Sequence, residues 1–266
     1  MLKLAFSTLP CATWSADKML EYCLENGYRG IELREDSNSW VSVLTPKEER
    51  IRIQKLFKNA NVEVSNIGSG IRIDAVEPVQ GIDEMKHLVD IVHLAKDLKA
   101  KGIRIFLGNN ISRRDAPKPL INYEGIVSWV KNACDYAAQY GIGIWIETHN
   151  EFATGKALRV LLDDVNRQNC KVIWDIIHPL EEQEKEEETL DFLKKQCAHV
   201  HIKDGVPKED PMEHNWKYTR LGEGQIPIKS IISLLLESGY DGYFSLEWET
   251  RWRKELQVEG NEPEKI

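Results

Sequence analysis

Eight short apolar or β-type runs recur along the chain, each followed by a stretch with helical spacing, and this alternation restricts the fold more than any other feature. Strands separated by helices pair in parallel through right-handed crossovers, and eight such units close into a (β/α)8 barrel. The runs lie at 2–8, Gly30–Arg34, 62–67 and 103–107, at stretches ending on Glu147 and Asp175, and at 198–203 and 242–247. Between them, Ser15 is placed to cap a helix to about 26 that stops at Gly27, and Thr45-Pro46-Lys47-Glu48 has the form of a capping box opening a helix to about 59. Strand three is read as ending in Gly68-Ser69-Gly70. A stripe of Met85, Leu88, Val89, Val92, Ala95 and Leu98 predicts a helix over 82–101, stopped by Gly102. Further helices are predicted over 122–140, 154–167, up to 196, and 228–238 behind Pro227, with a loop through Arg113, Arg114, Pro117 and Pro119. Leu24-Glu25-Asn26-Gly27-Tyr28-Arg29-Gly30 is echoed by Leu236-Glu237-Ser238-Gly239-Tyr240-Asp241-Gly242, the same helix-to-strand joint used twice.

A length of 266 residues suits one such barrel, so 1–266 is read as a single domain with a polar tail from about 251. A net charge of −8 argues against a dedicated nucleic-acid surface, which needs clustered Lys and Arg. The acidic run 181–188 is expected to be solvated surface. Five scattered cysteines without a Cys-x-x-Cys pair indicate neither a disulfide framework nor a zinc knuckle and suit a reducing compartment. The N-terminal stretch does not read as a signal peptide and no apolar run reaches membrane-spanning length, so a cytoplasmic protein without a membrane partner is expected.

Four runs in the second half carry the chemistry. Ile144-Trp145-Ile146-Glu147, Val172-Ile173-Trp174-Asp175, His199-Val200-His201 and Phe244-Ser245-Leu246-Glu247 each place an acid or an imidazole where a buried strand would emerge. In a parallel barrel these ends open on one face, so Glu147, Asp175, His201 and Glu247 are expected to converge. Three carboxylates and an imidazole suit one divalent cation such as Mn2+, Mg2+, Co2+ or Zn2+. If a substrate chelates that cation through adjacent carbonyl and hydroxyl oxygens, an enediolate becomes accessible, with Glu147 and Glu247 as the two proton-transfer groups. Proton return to the opposite face gives an epimer, and return to the neighbouring carbon an isomer.

His178, three residues after Asp175, and Lys203, two after His201, are further candidates for substrate contact, with Glu32, Trp14 and Arg220. For Lys203 the competing reading is a salt bridge to Asp204 or Glu32. His149, Asn150 and Glu151 are placed to orient ligands from outside. The aromatic rings of Trp14, Trp40, Trp216, Trp248 and Trp252 fall near loop ends, where sugar C–H faces would meet them, although core packing is the commoner use of such rings.

These motifs resemble the xylose isomerase-like barrel superfamily over nearly the whole chain. The resemblance rests on Ile146-Glu147-Thr148-His149-Asn150, Trp174-Asp175-Ile176-Ile177-His178-Pro179, Val200-His201-Ile202-Lys203-Asp204, Leu221-Gly222-Glu223-Gly224 and Leu246-Glu247-Trp248-Glu249. It implies a sugar isomerase or epimerase that binds one divalent metal, commonly Mn2+, through the matching Glu, Asp, His and Glu, and acts on a small carbohydrate, with the oligomeric state left open. Ketose 3-epimerases of the superfamily carry a further glutamate and arginine where this chain has Ala153 and Pro207, so Lys203 and the loop through His214 and Arg220 suggest another substrate head. Inosose isomerases or dehydratases and keto-glycoside lyases share the barrel and form the alternative. Endonuclease IV-type enzymes need extra histidines where this chain offers Glu32, Asn66 and Asn109. A barrel that binds sugar without turnover is the remaining reading.

Overall fold

The structure, a computed structural model, describes residues 2–74, 78–108, 122–210 and 215–265. Eight parallel strands close a barrel in the order β1-β10-β7-β6-β5-β4-β3-β2. The barrel strands are β1 (Lys3–Ser7), β2 (Gly30–Arg34), β3 (Glu63–Ile73), β4 (Gly102–Leu107), β5 (Gly143–Glu147), β6 (Cys170–Asp175), β7 (Cys197–Ile202) and β10 (Tyr243–Leu246). Outside them run α1 (Ala16–Glu25), α2 (Lys47–Asn59), α3 (Pro78–Leu98), α4 (Tyr123–Ala138), α5 (Gly155–Val165), α6 (Ile177–Glu181), α7 (Glu186–Leu193) and α8 (Ile228–Glu237). The expected (β/α)8 barrel is therefore the observed one. No helix among the described residues is long and apolar enough to cross a membrane.

The floor of the barrel is closed by aromatic rings that need glycine beside them. A Cβ on Gly102 or Gly143 would strike the Trp145 indole, and one on Gly30 would strike Tyr243. His199 stacks on Trp145 with ring centroids 6.1 Å apart. Side chains thus fill the interior in layers, as parallel barrels require, and leave chemistry only at the end where the strands emerge.

Local chemistry explains both the agreements and the corrections. Ser15 accepts from the Lys18 amide, Asn122 from that of Gly125 and Thr154 from that of Ala157, so α1, α4 and α5 start on side-chain caps. The capping box expected at Thr45 does not form: Pro46 is the cap residue, and the Thr45 hydroxyl is engaged by the Ser42 amide and the Trp40 carbonyl. α3 ends at Leu98, followed by Lys99 with φ +61°, rather than running to Gly102, because Gly102 belongs to β4 and makes room for Trp145. β3 continues through Gly68-Ser69-Gly70 to Ile73, with a register shift against β4 over that stretch.

Three surface expectations also change. Within the acidic run, Glu181 and Glu184 are buried. Glu184 accepts from the amides of Gly155 and Lys156 and from the Thr189 hydroxyl, tying α5 to α7. The excursion after β7 contains an antiparallel hairpin, β8 (Asp204–Val206) with β9 (Lys217–Thr219). The Asp204 carboxylate accepts from the amides of Gly205, Gly222, Gly224 and Ile226, so the Leu221-Gly222-Glu223-Gly224 motif folds around an acid. The tail after Thr250 packs down: Leu256 is buried, the Trp248 indole donates to the Asn261 carbonyl, and Lys18 pairs with Glu264 at 2.6 Å. The loop through Arg113, Arg114, Pro117 and Pro119, together with Asn109 and His214, lies outside the described residues.

Candidate metal centre

Strand register brings the acids together. Asp175 pairs with His201 and Ser245 pairs with His201, so β6, β7 and β10 point these positions into the barrel at one level. Glu147 ends β5 and Glu247 follows β10, both buried. Glu147, Asp175, His201 and Glu247 each offer an atom within 4.8 Å of the others. His201 Nδ1 lies 3.5 Å from Glu147 Oε1 and 3.3 Å from Glu247 Oε2.

Each of these side chains is held from outside. The Asp175 backbone amide donates to the Thr148 hydroxyl, which donates back to the Asp175 carbonyl, and Asp175 Oδ1 accepts from the Ile177 amide. That leaves Oδ2 facing the centre. Glu32, fully buried on β2, sits 2.8 Å from His201 Nε2 and 3.3 Å from His199 Nε2. Glu32, His199 and His201 also meet the spacing of a ligand group. The Glu32–His201 distance is that of a hydrogen bond, however, so Glu32 is placed to orient His201 and turn Nδ1 inward.

Two cations stand among the acids. Arg104, buried on β4, reaches Glu147 Oε2 at 3.2 Å and Glu247 Oε1 at 3.1 Å, donates to the Ser69 carbonyl at 3.1 Å, and lies over the Phe106 ring. Lys203 Nζ reaches Asp175 at 2.5 Å, Glu247 at 2.6 Å and Glu249 at 2.5 Å. Its expected partners Asp204 and Glu32 are both engaged elsewhere. Glu32, Glu147, Asp175, Glu247 and Glu249 face Arg104, Lys203 and, at Glu249, Arg253, which leaves two negative charges in excess before His201 and His178 are counted.

Burial and charge pull these groups in opposite directions. Burial alone would raise the Glu247 carboxyl, but His201 and Lys203 hold it well below the usual carboxylate range. Arg104 does the same, less strongly, for Glu147 against its burial. Burial wins at Asp175, whose carboxyl is raised despite Lys203. Burial would lower His201, yet Glu247, Glu32 and Glu147 push it well above its ordinary value. His178 is likewise raised against burial to about 9, by Asp175 at 3.5 Å and Glu181 at 2.8 Å.

The donor set fits a divalent cation. Glu147 Oε2, Asp175 Oδ2 and His201 Nδ1 are buried and accept no hydrogen bond among the described residues. Buried donor atoms of this kind, converging from four strand ends, suit a divalent cation, although Arg104 stands 3.2 Å from Glu147 Oε2 and Lys203 2.5 Å from Asp175 Oδ2.

The remaining sequence candidates divide. His178 stands beside Asp175 as expected. Glu32 lies behind His201 rather than on the substrate side. Trp14 packs edge-on to Tyr22 beneath the Lys18 ammonium group, engaged with α1. Arg220 is exposed and bonds Asn261 and the Gly260 carbonyl, so it anchors the tail instead of lining the mouth. Asn150 donates to the carbonyls of Leu107 and Gly108, and the His149 ring packs against Phe106 and His178. Sequence reasoning missed Arg104, although an arginine alternating with isoleucines in a strand buried on both faces was a usable signal. It also left Glu249 without a role.

The fold matches several solved structures. The probable 3-DHS dehydratase AsbF, involved in petrobactin synthesis, from Bacillus anthracis superposes with a TM-score of 0.74 at 20% identity, covering 93% of each chain. A xylose isomerase domain protein from Planctomyces limnophilus gives 0.74 at 18% identity, covering 94% of this chain and 92% of that one. D-psicose 3-epimerase in the presence of D-fructose gives 0.73 at 17%, covering 95% and 90%. In sequence, an uncharacterized protein of Methanocaldococcus jannaschii is 28% identical over 131 residues, which is 45% of this chain and 41% of that relative's length. The model of the xylose isomerase-like TIM barrel family matches residues 20–265, and the chain belongs to that family.

Proposed function

We propose that this protein is a metal-dependent isomerase or epimerase that removes a proton from a carbon next to a carbonyl in a small carbohydrate. The observation that carries this reading is the convergence of Glu147, Asp175, His201 and Glu247 within 4.8 Å. These four residues would hold one divalent cation, Mn2+ first, with Mg2+, Co2+ or Zn2+ as alternatives. When bound, the cation supplies Lewis-acid stabilisation of the charge that develops on the substrate oxygens.

The proton work falls to the chain's own carboxylates. β5 and β10 are separated by two strands around the ring, so Glu147 and Glu247 approach a central substrate from different sides. Arg104 faces both; it keeps Glu147 ionised, and His201 and Lys203 with Arg104 keep Glu247 so, each able to accept a proton. One removes the proton from the substrate carbon, and the other returns a proton to the opposite face or to the neighbouring carbon. Epimerase names among the solved structures of this fold agree with such chemistry.

A second reading, elimination by an inosose dehydratase or keto-glycoside lyase, is favoured by one observation. Lys203 and His178 both stand at Asp175 and both are held protonated. A departing hydroxyl or alkoxide takes one proton, which either cationic group could supply, whereas an epimerase needs only its two carboxylates. The dehydratase name of one solved structure points the same way.

Solvent deuterium incorporation, followed by NMR on ketoses, inososes and 3-keto-glycosides with Mn2+-loaded protein, tests both readings. Exchange beside a carbonyl without loss of water or aglycone supports isomerisation or epimerisation. Exchange accompanied by that loss supports elimination. Absence of exchange across the panel, with metal bound, overturns the proton-abstraction reading.

A further inference from the structure

The irregular stretch Gly68-Ser69-Gly70, where β3 shifts register against β4, turns two successive carbonyls toward two arginines. Gly68 accepts from Arg34 Nη1 at 3.2 Å, and Ser69 accepts from Arg104 Nη2 at 3.1 Å. Arg34 has the strand parity of Glu32, whose carboxylate meets His201 inside the barrel, so its side chain starts toward the interior. It pairs with Gly68, which pairs with Arg104, so the two arginines flank β3 at one level.

The two guanidiniums differ in what neutralises them. Arg104 meets Glu147 and Glu247. Arg34 meets Asp36 at 3.4 Å, longer than the roughly 2.7–2.9 Å of a strong charge-assisted bond, and Asp36 is shared with Arg251 at 3.1 Å. The neighbouring Glu35 is turned away, to the Val43 amide and the His87 ring. Neither contact of Arg34 uses Nη2, which lies against Gly70, where a Cβ would stand 3.1 Å from it. The Arg34 side chain is only 12% exposed, and burial together with the like charge of Arg104 pulls its pKa down. A buried guanidinium beside a second one, sharing its acid with a third, calls for a further anion.

β2 stands four places from β6 around the ring of eight strands, so Arg34 approaches the mouth from the side opposite Asp175. We propose that Arg34 anchors an anionic subsite, which takes a terminal carboxylate or phosphate of the substrate across the mouth from the candidate metal centre. The proposal rests on the proton-abstraction reading for the position of the substrate's carbonyl end. The planar guanidinium fork binds the oxygens of either anion two at a time, whereas a hydroxyl leaves its charge unmatched.

The test titrates the whole Mg2+-loaded chain, by calorimetry, with three ketoses that differ only at C6: D-fructose, D-fructuronate and D-fructose 6-phosphate. At least one anion is expected to bind about tenfold to a hundredfold more tightly than D-fructose, the gain from hydrogen bonds to a charged group. Which anion gains identifies the source, carboxylate or phosphate. Arg34→Met is expected to erase the preference while leaving D-fructose and Mg2+ affinity unchanged. Arg34→Lys should keep part of it, since the ammonium retains the charge but not the fork. Asp36→Asn frees Arg34 of its acid and should strengthen anion binding. Failure of both anions to outbind D-fructose, or a preference that survives Arg34→Met, would overturn the subsite; so would an equal loss for all three ketoses in that variant. Deuterium exchange reports separately on proton abstraction: exchange without an anion preference sinks the subsite alone, and an Arg34-dependent preference without exchange sinks the catalytic reading alone.

Discussion

The two halves of the barrel do different work at the same mouth. Strands β5, β6, β7 and β10 end on the residues that converge, Glu147, Asp175, His201 and Glu247. Strands β2 and β4 contribute Glu32 and Arg104, which touch those residues from behind and between. In the proposed reading one half would supply the ligand atoms, while the other fixes their orientation and balances their charge. The lesson is that a cluster of buried acids needs an equally buried frame, since an uncompensated carboxylate in a barrel interior would protonate or unfold the site.

The sharpest break of this contrast lies in the ligand half. Glu247→Gln is expected to lower deuterium exchange by about a hundredfold to ten-thousandfold, because a carboxamide cannot accept the proton. Normal turnover by this variant would remove Glu247 from the mechanism. His201→Ala should lose bound metal, and unchanged metal content by elemental analysis would show that His201 is no ligand.

In the framing half, Arg104→Met should act first on stability. Removing one partner of a buried charge cluster costs about 3–5 kcal/mol, to be read from urea unfolding in the presence of chelator. Added Mn2+ should recover part of the loss, since a cation at the ligand atoms replaces some of the missing charge. If metal fails to restore stability, Arg104 acts by packing on Phe106 alone.

Glu32→Gln should be milder. Loss of the carboxylate that orients His201 is expected to weaken metal affinity by about tenfold to a hundredfold while leaving some binding, measured by competition with a chromogenic chelator. An effect equal to that of His201→Ala would make Glu32 a ligand and erase the distinction between the halves.

A pH series gives a smaller effect. In the metal-free protein His178 is raised to about 9, so its charged form adds stability that is complete below its unfolded value, near 6.5, and fades as pH rises through about 9. The melting temperature of His178→Gln relative to wild type should therefore converge between those values. A gap that widens with rising pH would contradict the assignment. Smallest of all, Arg220→Ala should cost no more than about 1 kcal/mol and leave exchange unchanged, because its exposed contacts with Asn261 and Gly260 lie in the tail.

Much of this was legible in the residues. Strand-plus-helix alternation is a local pattern, and Ser15, Asn122 and Thr154 cap their helices through bonds spanning three residues. The convergence of Glu147, Asp175, His201 and Glu247 was legible as well, since each sits where an apolar run ends. The failures involve residues whose partners are distant in sequence. Thr45 looked like a cap, yet its hydroxyl serves its own loop. Glu184 looked like solvated acid, yet it receives amides from α5, nearly thirty residues away. Gly102 looked like a helix stop, yet Trp145 needs its missing side chain.

By itself, then, the sequence determined the (β/α)8 barrel and the convergence of Glu147, Asp175, His201 and Glu247, because period and strand parity are properties of neighbouring residues. Only the tertiary structure decided which groups surround them. Arg104 lies 143 positions from the Glu247 it contacts, and Glu32 lies 169 from His201. Electrostatic balance in a barrel interior depends on distance through space, and barrel closure, which joins β1 to β10, sets that distance for residues that local pattern cannot pair.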